Sequence, residues 1–292
     1  LMSKNLSIII PCYNEESNIP SLLDEINESF DANTFEVILI DDASENILSD
    51  FIDLSNYEFQ IIIERNSYNM GQTRSIKSGL KLTNFSNIGL IDGDCQNPPQ
   101  ELKRLWDMYL NKNLDAIVSF RIKRNDNLRK KLSSFLGNKF SKFLTGSQLK
   151  DMGSSLKVVR KIILEDIFFN GDLHRFIGPI LEKRKYKLLE VGVEHRERKE
   201  GKSNYGIGRV TPVLIDSFLF YFSDGFTRPL RYTFGKISIF FIFLSSLLLI
   251  IALFQKFLGG FSLYSNPIFT ISLFGYLVSA QIFTLGINKD FD

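Results

Sequence analysis

Histidine and cysteine are scarce in this chain of 292 residues, with two of each. His174 and His195 are too few for a His-rich metal site. Cys12 and Cys95 lie far apart without ligand spacing, which argues against a disulfide framework or a zinc centre. No dense Lys/Arg tract with interleaved aromatics occurs, and the net charge is only +2, so nucleic acid is not an expected partner. A glycine-rich loop after the first apolar run is also missing, which disfavours a soluble nucleotidyltransferase that cradles phosphates in such a loop.

Charge is the next deficit, and it is local. Nearly all charged residues precede Lys236. Beyond it, apolar segments at about 232–254 and 268–287 are each long enough to cross a bilayer. The stretch between them carries only Lys256 as a charge, and its Gly259-Gly260 and Pro267 read as a short hairpin connection. Arg209, Arg228, Arg231 and Lys236 precede the first segment and Lys289 follows the second, which predicts both ends on the cytoplasmic side. A pair of buried core helices is the competing reading.

What is present before Lys236 alternates. Leu6–Ile10, Phe35–Ile40, Ile61–Ile63, Ile88–Ile91 and Asp115–Ser119 read as strands. Ile19, Leu22, Leu23, Ile26 and Phe30 recur at helical spacing, and a second helix after Asn69-Met70-Gly71 carries Ile76, Gly79 and Leu80. Strands alternating with helices predict an α/β fold with a mostly parallel sheet covered on both faces. Ligands of such sheets bind beyond the carboxyl ends of the strands, and Tyr13, Glu15, Asp41, Asp42, Asp92 and Asp94 all fall there.

Asp92-Gly93-Asp94-Cys95-Gln96 is the most pointed of these loops. In extended backbone, Asp92 and Asp94 would face one side together, where two carboxylates repel unless a cation separates them. Hard oxygen ligands suit Mg²⁺ or Mn²⁺, which in turn favour phosphate oxygens. An isolated Asp-x-Asp pair can equally cap a helix or decorate a turn. Further on, Leu128, Leu132, Phe135, Leu136, Phe140, Phe143 and Leu144 form a helical apolar stripe flanked by Arg129, Lys130, Lys131, Lys139 and Lys142. That pattern suits a basic amphipathic helix at a membrane interface, with a helix packed on the sheet as the alternative. Val213–Phe222 is a second, less regular interfacial candidate.

Several ordered motifs carry a family resemblance. They are Pro11-x-Tyr13-Asn14-Glu15, Asp41-Asp42-Ala43-Ser44, Asn69-x-Gly71 and Asp92-x-Asp94-x-Gln96-x-Pro98-Pro99. Ser119-x-Arg121, Asp151-x-Gly153-Ser154 with Arg160, His174-Arg175-Phe176 and Arg196-x-Arg198-x-x-Gly201-x-Ser203-x-Tyr205 follow. With them the chain resembles family-2 glycosyltransferases of the A-type fold, and within them the polyprenyl-phosphate glycosyltransferases. That group includes dolichol-phosphate mannose synthase and bactoprenol glucosyltransferases. Two departures stand out: Asn46 lies where a later Asp is usual, and Ser154-Ser155 replaces an Asp-Phe or Gly-Phe pair. The Gln-x-x-Arg-Trp motif of processive polysaccharide synthases is missing, since the lone Trp106 sits in Lys103-Arg104-Leu105-Trp106.

The resemblance implies an enzyme that transfers one sugar, with inversion, from a nucleotide diphosphate sugar to a polyprenyl phosphate. UDP-glucose is the first choice of donor and GDP-mannose the second. A processive synthase and a catalytically silent membrane adaptor are the more distant readings. Pro11, Tyr13, Glu15, Asp41, Asp42, Asn69 and Asp92 would bind the nucleotide sugar, and Asp94 and Gln96 would hold Mg²⁺ or Mn²⁺. Arg121, Arg175, Arg198 and Ser203 would hold the acceptor phosphate. Asp92, Asp94 and Asp151 would be the catalytic carboxylates, Asp151 as a base or an orienting group. The implied layout is a cytoplasmic catalytic domain over 1–208, including the interfacial helix at 128–145. A juxtamembrane segment over 209–231 and a two-helix membrane hairpin over 232–292 follow, in a bacterial inner-membrane protein expected to form a homo-oligomer.

Overall fold

The computed structural model describes residues 4–122, 142, 145–167, 173–196, 217, 218, 220, 230–260 and 262–288. The expected interfacial helix at 128–145 lies almost wholly outside these residues, as do most of 209–231 and both Arg198 and Ser203. Contacts divide the chain into two units, Leu1–Phe218 and Leu219–Asp292.

The first unit is built on a seven-stranded sheet with strand order β3-β2-β1-β4-β6-β5-β7. Its strands are β1 (Leu6–Cys12), β2 (Phe35–Asp41), β3 (Gln60–Arg65), β4 (Asn87–Leu90), β5 (Ala116–Arg121), β6 (Lys157–Arg160) and β7 (Leu188–Val193). The pairs β1–β2, β2–β3, β1–β4 and β5–β7 are parallel, whereas β6 runs antiparallel to both β4 and β5. All seven residues of β2 are buried, as expected of a central strand covered on both sides.

Helices α1 (Ile19–Ser29), α2 (Gln72–Leu82) and α3 (Pro99–Lys112) supply that cover. Ile19, Leu22, Leu23 and Ile26 of α1 join Leu102, Leu105, Trp106 and Tyr109 of α3 in one core with Ile8, Ile10, Val37 and Leu39 of the sheet. The intervening strand residues Ile9, Ile38 and Ile40 point the other way, onto α2. There Gly79 lets the helix approach closely: a Cβ on it would lie 2.7 Å from the Ile9 side chain. Two short helices, α4 (Lys161–Asp166) and α5 (Ile177–Lys183), complete this unit among the described residues. The five expected strands and first two helices are present, while α3, β6 and β7 were not among the sequence expectations.

Strand order rises from β1 to β3 on one side and resumes with β4 on the other, so the switch point lies between β1 and β4. Sheets of this kind open a crevice there. The loops that follow β1 and β4 are Pro11–Glu15 and Asp92–Gln96.

The second unit contains α6 (Leu230–Gly259) and α7 (Pro267–Asn288). Within them, the most apolar 18-residue stretches of Phe234–Gly259 and Pro267–Gly286 have mean hydropathies of 2.9 and 1.7, and only 17% and 11% of each stretch is buried. Both are long and apolar enough to cross a membrane, and exposed Ile239, Phe243, Phe254 and Leu285 do not suit a soluble core helix. The seam between them is polar and small instead. Ser238 Oγ lies 2.8 Å from Ser279 Oγ, and Ser246 Oγ is 2.8 Å from the Tyr276 hydroxyl. Close helix approach through small residues is the usual packing where lipid removes the hydrophobic drive.

Candidate active site

The loops after β1, β2 and β4 hold three non-glycine residues in the left-handed region: Asn14 (φ 54°), Ala43 (φ 59°) and Cys95 (φ 57°). Such backbone persists where surrounding bonds determine it, and it concentrates at functional sites. Here the bonds are visible. Asn14 N donates to Ser44 Oγ at 3.0 Å, and Asn14 Oδ1 accepts from Glu45 N at 2.9 Å. These two bonds tie the Pro11–Glu15 and Asp41–Ser44 loops together.

Among the predicted nucleotide-side residues, Asp41 is 1% exposed and ends β2. It accepts from Ser44 N at 2.8 Å and pairs with Arg65 at 2.6 Å. Asp42 turns the other way. Its carboxylate accepts from Asn66 Nδ2 (2.7 Å), Met70 N (2.9 Å) and Gly71 N (2.8 Å), so it shapes the loop that carries exposed Asn69. Glu15 accepts from Asn18 Nδ2 at 2.7 Å at the entry to α1, and Tyr13 is 37% exposed on the same loop. Burial pushes the Cys12 thiol well up, and the negative charges of Asp41, Glu15 and Asp92 push it further. The convergence of those three carboxylates around Cys12 makes this half of the site acidic and keeps the thiol protonated.

The Asp92–Gln96 loop departs from the extended geometry expected of it. β4 ends at Leu90 and Gly93-Asp94 form a turn, so a turn rather than a strand face sets the positions of Asp92 and Asp94. Asp92 Oδ1 accepts from Gln72 Nε2 at 2.6 Å, and Asp94 Oδ1 accepts from Gln96 N at 3.2 Å. Gln96 Nε2 donates to the Arg196 carbonyl at 3.5 Å, which leaves its side-chain oxygen as the atom that could meet a cation. No group of three or more His, Cys, Asp or Glu able to hold a metal occurs among the described residues. The donors the loop could offer are the Asp94 carboxylate, the Gln96 amide oxygen and the neighbouring Asp92 carboxylate. They fit an ion that takes a few protein oxygens and completes its shell from phosphates and water, as Mg²⁺ and Mn²⁺ do.

The other half of the site is basic. Arg121, the last residue of β5, forms a two-pronged pair with Asp151 (Nε to Oδ2 2.7 Å, Nη2 to Oδ1 3.1 Å). Gly153 N also donates to Asp151 Oδ1, at 2.9 Å. His174 lies in the short turn Leu173–Phe176, with Nδ1 2.8 Å from Thr73 Oγ1 at the start of α2. Its neighbour Arg175 has a buried Nε with no hydrogen-bond partner among the described residues.

β6 changes one sequence expectation. Because it runs antiparallel, Arg160 pairs with Asn87 at the amino end of β4, away from the crevice, and bonds Asp115 at 3.3 Å. Lys157 pairs with Leu90 and therefore sits at the carboxyl edge instead. With Pro11, Gln72, Asp92, Ser155 and His174 it lines a cleft. Lys157, Gln72, Thr73 and Arg65 were not singled out from the sequence. The direction of a four-residue strand leaves no mark in composition, so nothing distinguished Lys157 from a solvated lysine.

Sheet and site together define a glycosyltransferase of the A-type fold. Residues 7–168 match the family described as Glycosyl transferase family 2, and the chain belongs to that family. It is similar, at 28% identity over 98% of its length and 87% of the relative's, to dodecaprenyl-phosphate galacturonate synthase of Rhizobium johnstonii. It is also similar, at 30% identity over 73% of this chain and 66% of the relative, to undecaprenyl-phosphate 4-deoxy-4-formamido-L-arabinose transferase of Aeromonas hydrophila. Glucosyl-3-phosphoglycerate synthase of Mycobacterium tuberculosis, solved with Mn²⁺, UDP and glucosyl-3-phosphoglycerate, shares the fold. The TM-score is 0.57 at 16% identity, over 75% of this chain and 80% of that one.

Proposed function

We propose that this protein transfers a single sugar, with inversion, from a nucleotide diphosphate sugar to a polyprenyl phosphate at a bacterial inner membrane. The observation that carries the reading is one sheet edge with an acidic half at Asp41, Asp92 and Asp94 and a basic half at Arg121 and Arg175. Relatives named for transfer to dodecaprenyl and undecaprenyl phosphate support the acceptor class. Two helices long enough to span a bilayer support the location, and the basic residues before the first and after the second favour a cytoplasmic catalytic unit.

On this reading the Pro11–Glu15 loop and Asp41 hold the nucleoside, since a carboxylate accepts from base N–H and ribose hydroxyl groups. Asp42 acts one step back, fixing the loop around Asn69. Mg²⁺ or Mn²⁺ at Asp94 and Gln96, with Asp92 beside them, would neutralise the diphosphate and stabilise its departure. The acceptor phosphate is already anionic and needs positioning more than deprotonation. Arg121 and Arg175 position it, joined by Arg198 and Ser203. Asp151, with both oxygens on Arg121, orients that guanidinium and is not poised as a base.

UDP-glucose is the donor to try first, and donors carrying galacturonate or 4-deoxy-4-formamido-L-arabinose follow from the relatives. The test incubates membranes bearing the protein with undecaprenyl phosphate and a panel of nucleotide sugars, and identifies the lipid product. Asp94→Asn should reduce transfer by a hundredfold or more while the protein still inserts. Undiminished transfer by that variant would remove the metal assignment, and a wild-type protein forming no lipid-linked sugar would remove the reaction.

A further inference from the structure

We propose that Lys157 is a phosphate-binding residue of this active site, a third cation that holds the acceptor phosphate between Arg121 and Arg175. The inference rests on the function proposed above and deepens it. The first ground is placement. Lys157 is paired on one side with Leu90, two residues before Asp92, and on the other with Val118, three before Arg121. It thus stands where the acidic and basic halves meet, on the wall of the cleft.

The second ground is that its position makes little sense for packing alone. Lysine is almost never fully buried unless paired. Lys157 is 5% exposed, yet its hydrogen bond goes to a neutral group, the Ser154 carbonyl. An ammonium has three donors, and no carboxylate lies at ion-pair distance from this one among the described residues. Burial pushes its pKa down to about 8, against the pull of Asp92 and Asp151 and with the push of Arg175 and Arg121. The third ground is Arg175, whose buried Nε is also without a partner among the described residues. Two cations that repel each other and keep unused donors, Lys157 on the cleft wall and Arg175 next in sequence to the lining residue His174, are complementary to a dianion. A phosphate monoester supplies that charge and enough oxygens for both.

A purely structural lysine would fill the same space and cap the Ser154 carbonyl, so the experiment separates the two roles. Full-length protein in lipid nanodiscs is titrated with farnesyl phosphate, with farnesol, and with UDP in the presence of Mn²⁺. Three variants are compared with wild type: Lys157→Gln, which keeps a donor for Ser154 without charge; Lys157→Met; and Lys157→Arg. Loss of a charge-assisted hydrogen bond predicts farnesyl phosphate affinity weakened about tenfold or more in the Gln and Met variants. Lys157→Arg should stay within about threefold of wild type, with farnesol and UDP affinities unchanged. Farnesyl phosphate binding unaltered in Lys157→Gln would overturn the proposal, as would an equal loss of UDP affinity. Transfer assays on the same wild-type sample keep the readings apart. An active wild type with an indifferent Gln variant defeats only the Lys157 role, whereas an inactive wild type defeats the reaction.

Discussion

Arg121 and Asp151 are 16% and 8% exposed, so their two-pronged bond is shielded enough to matter for stability. Removing one partner of a buried pair costs roughly 3–5 kcal/mol, and partial exposure reduces that to about 2–3 here. Arg121→Gln should therefore lower the melting temperature, and adding Asp151→Asn should recover most of the loss. Acceptor KM should stay raised in the double variant, because on the proposed function the phosphate would still lack its guanidinium. Recovered acceptor use in the double variant would make the pair merely structural. Lys157 gives a pH-dependent counterpart. Its pKa is about 8 in the folded protein against 10.5 unfolded, so between those values the unfolded chain binds more protons and stability rises with pH. Below pH 8 the full penalty of burying the charge is present, on the order of 3 kcal/mol. Lys157→Met removes it. The melting temperature of the Met variant minus that of wild type should thus fall as pH rises from 7 to 10, with Cys12 and Tyr57 common to both. A difference that stays flat would mean that burial does not depress this lysine.

At the scale of elements, legibility followed hydrophobic continuity. β1 and β2 are runs of Ile, Leu and Val, and their ends delivered Asp41 and the Pro11–Glu15 loop where expected. β6 has charge at both termini over four residues, and only the sheet shows that it runs backward, exchanging Arg160 for Lys157 at the crevice. The spacing of Leu102, Leu105, Trp106 and Tyr109 does carry the signal of α3, since all four are buried on one face of that helix. The composition of the Asp92–Gln96 loop is legible but its turn is not, because an Asp-x-Asp pair after a strand is compatible with either geometry. In the helix pair α6–α7 the informative residue is Gly275, where an added Cβ would run into Ser245 Oγ. Gly275→Leu should weaken α6–α7 packing by about 1–3 kcal/mol. A reporter is available at Ser238 and Ser279, whose hydroxyls are 2.8 Å apart. Cysteines placed at both should cross-link readily in the parent and much less with Gly275→Leu. Equal cross-linking would show that the seam tolerates bulk.

At the scale of the molecule, the two halves of the site face different chemistry. On the proposed reading, a water-soluble nucleotide would meet carboxylates and need a cation between the charges, while a lipid phosphate would meet cations directly. The described residues present no metal cage of their own, so on that reading the ion and the diphosphate would complete each other's coordination. Linkage then requires that each strengthen the other's binding by the same factor. Mn²⁺ affinity measured with and without UDP should differ by tenfold or more, and UDP affinity with and without Mn²⁺ should differ equally. Farnesyl phosphate, if held by Arg121, Arg175 and Lys157 as proposed, should bind almost as well in EDTA as in Mn²⁺. Asp94→Asn should abolish the coupling between Mn²⁺ and UDP and leave the farnesyl phosphate titration where it was. If EDTA weakens the lipid phosphate and the nucleotide alike, the ion bridges both substrates and the division of the sheet edge into a metal-dependent donor half and a metal-free acceptor half is wrong.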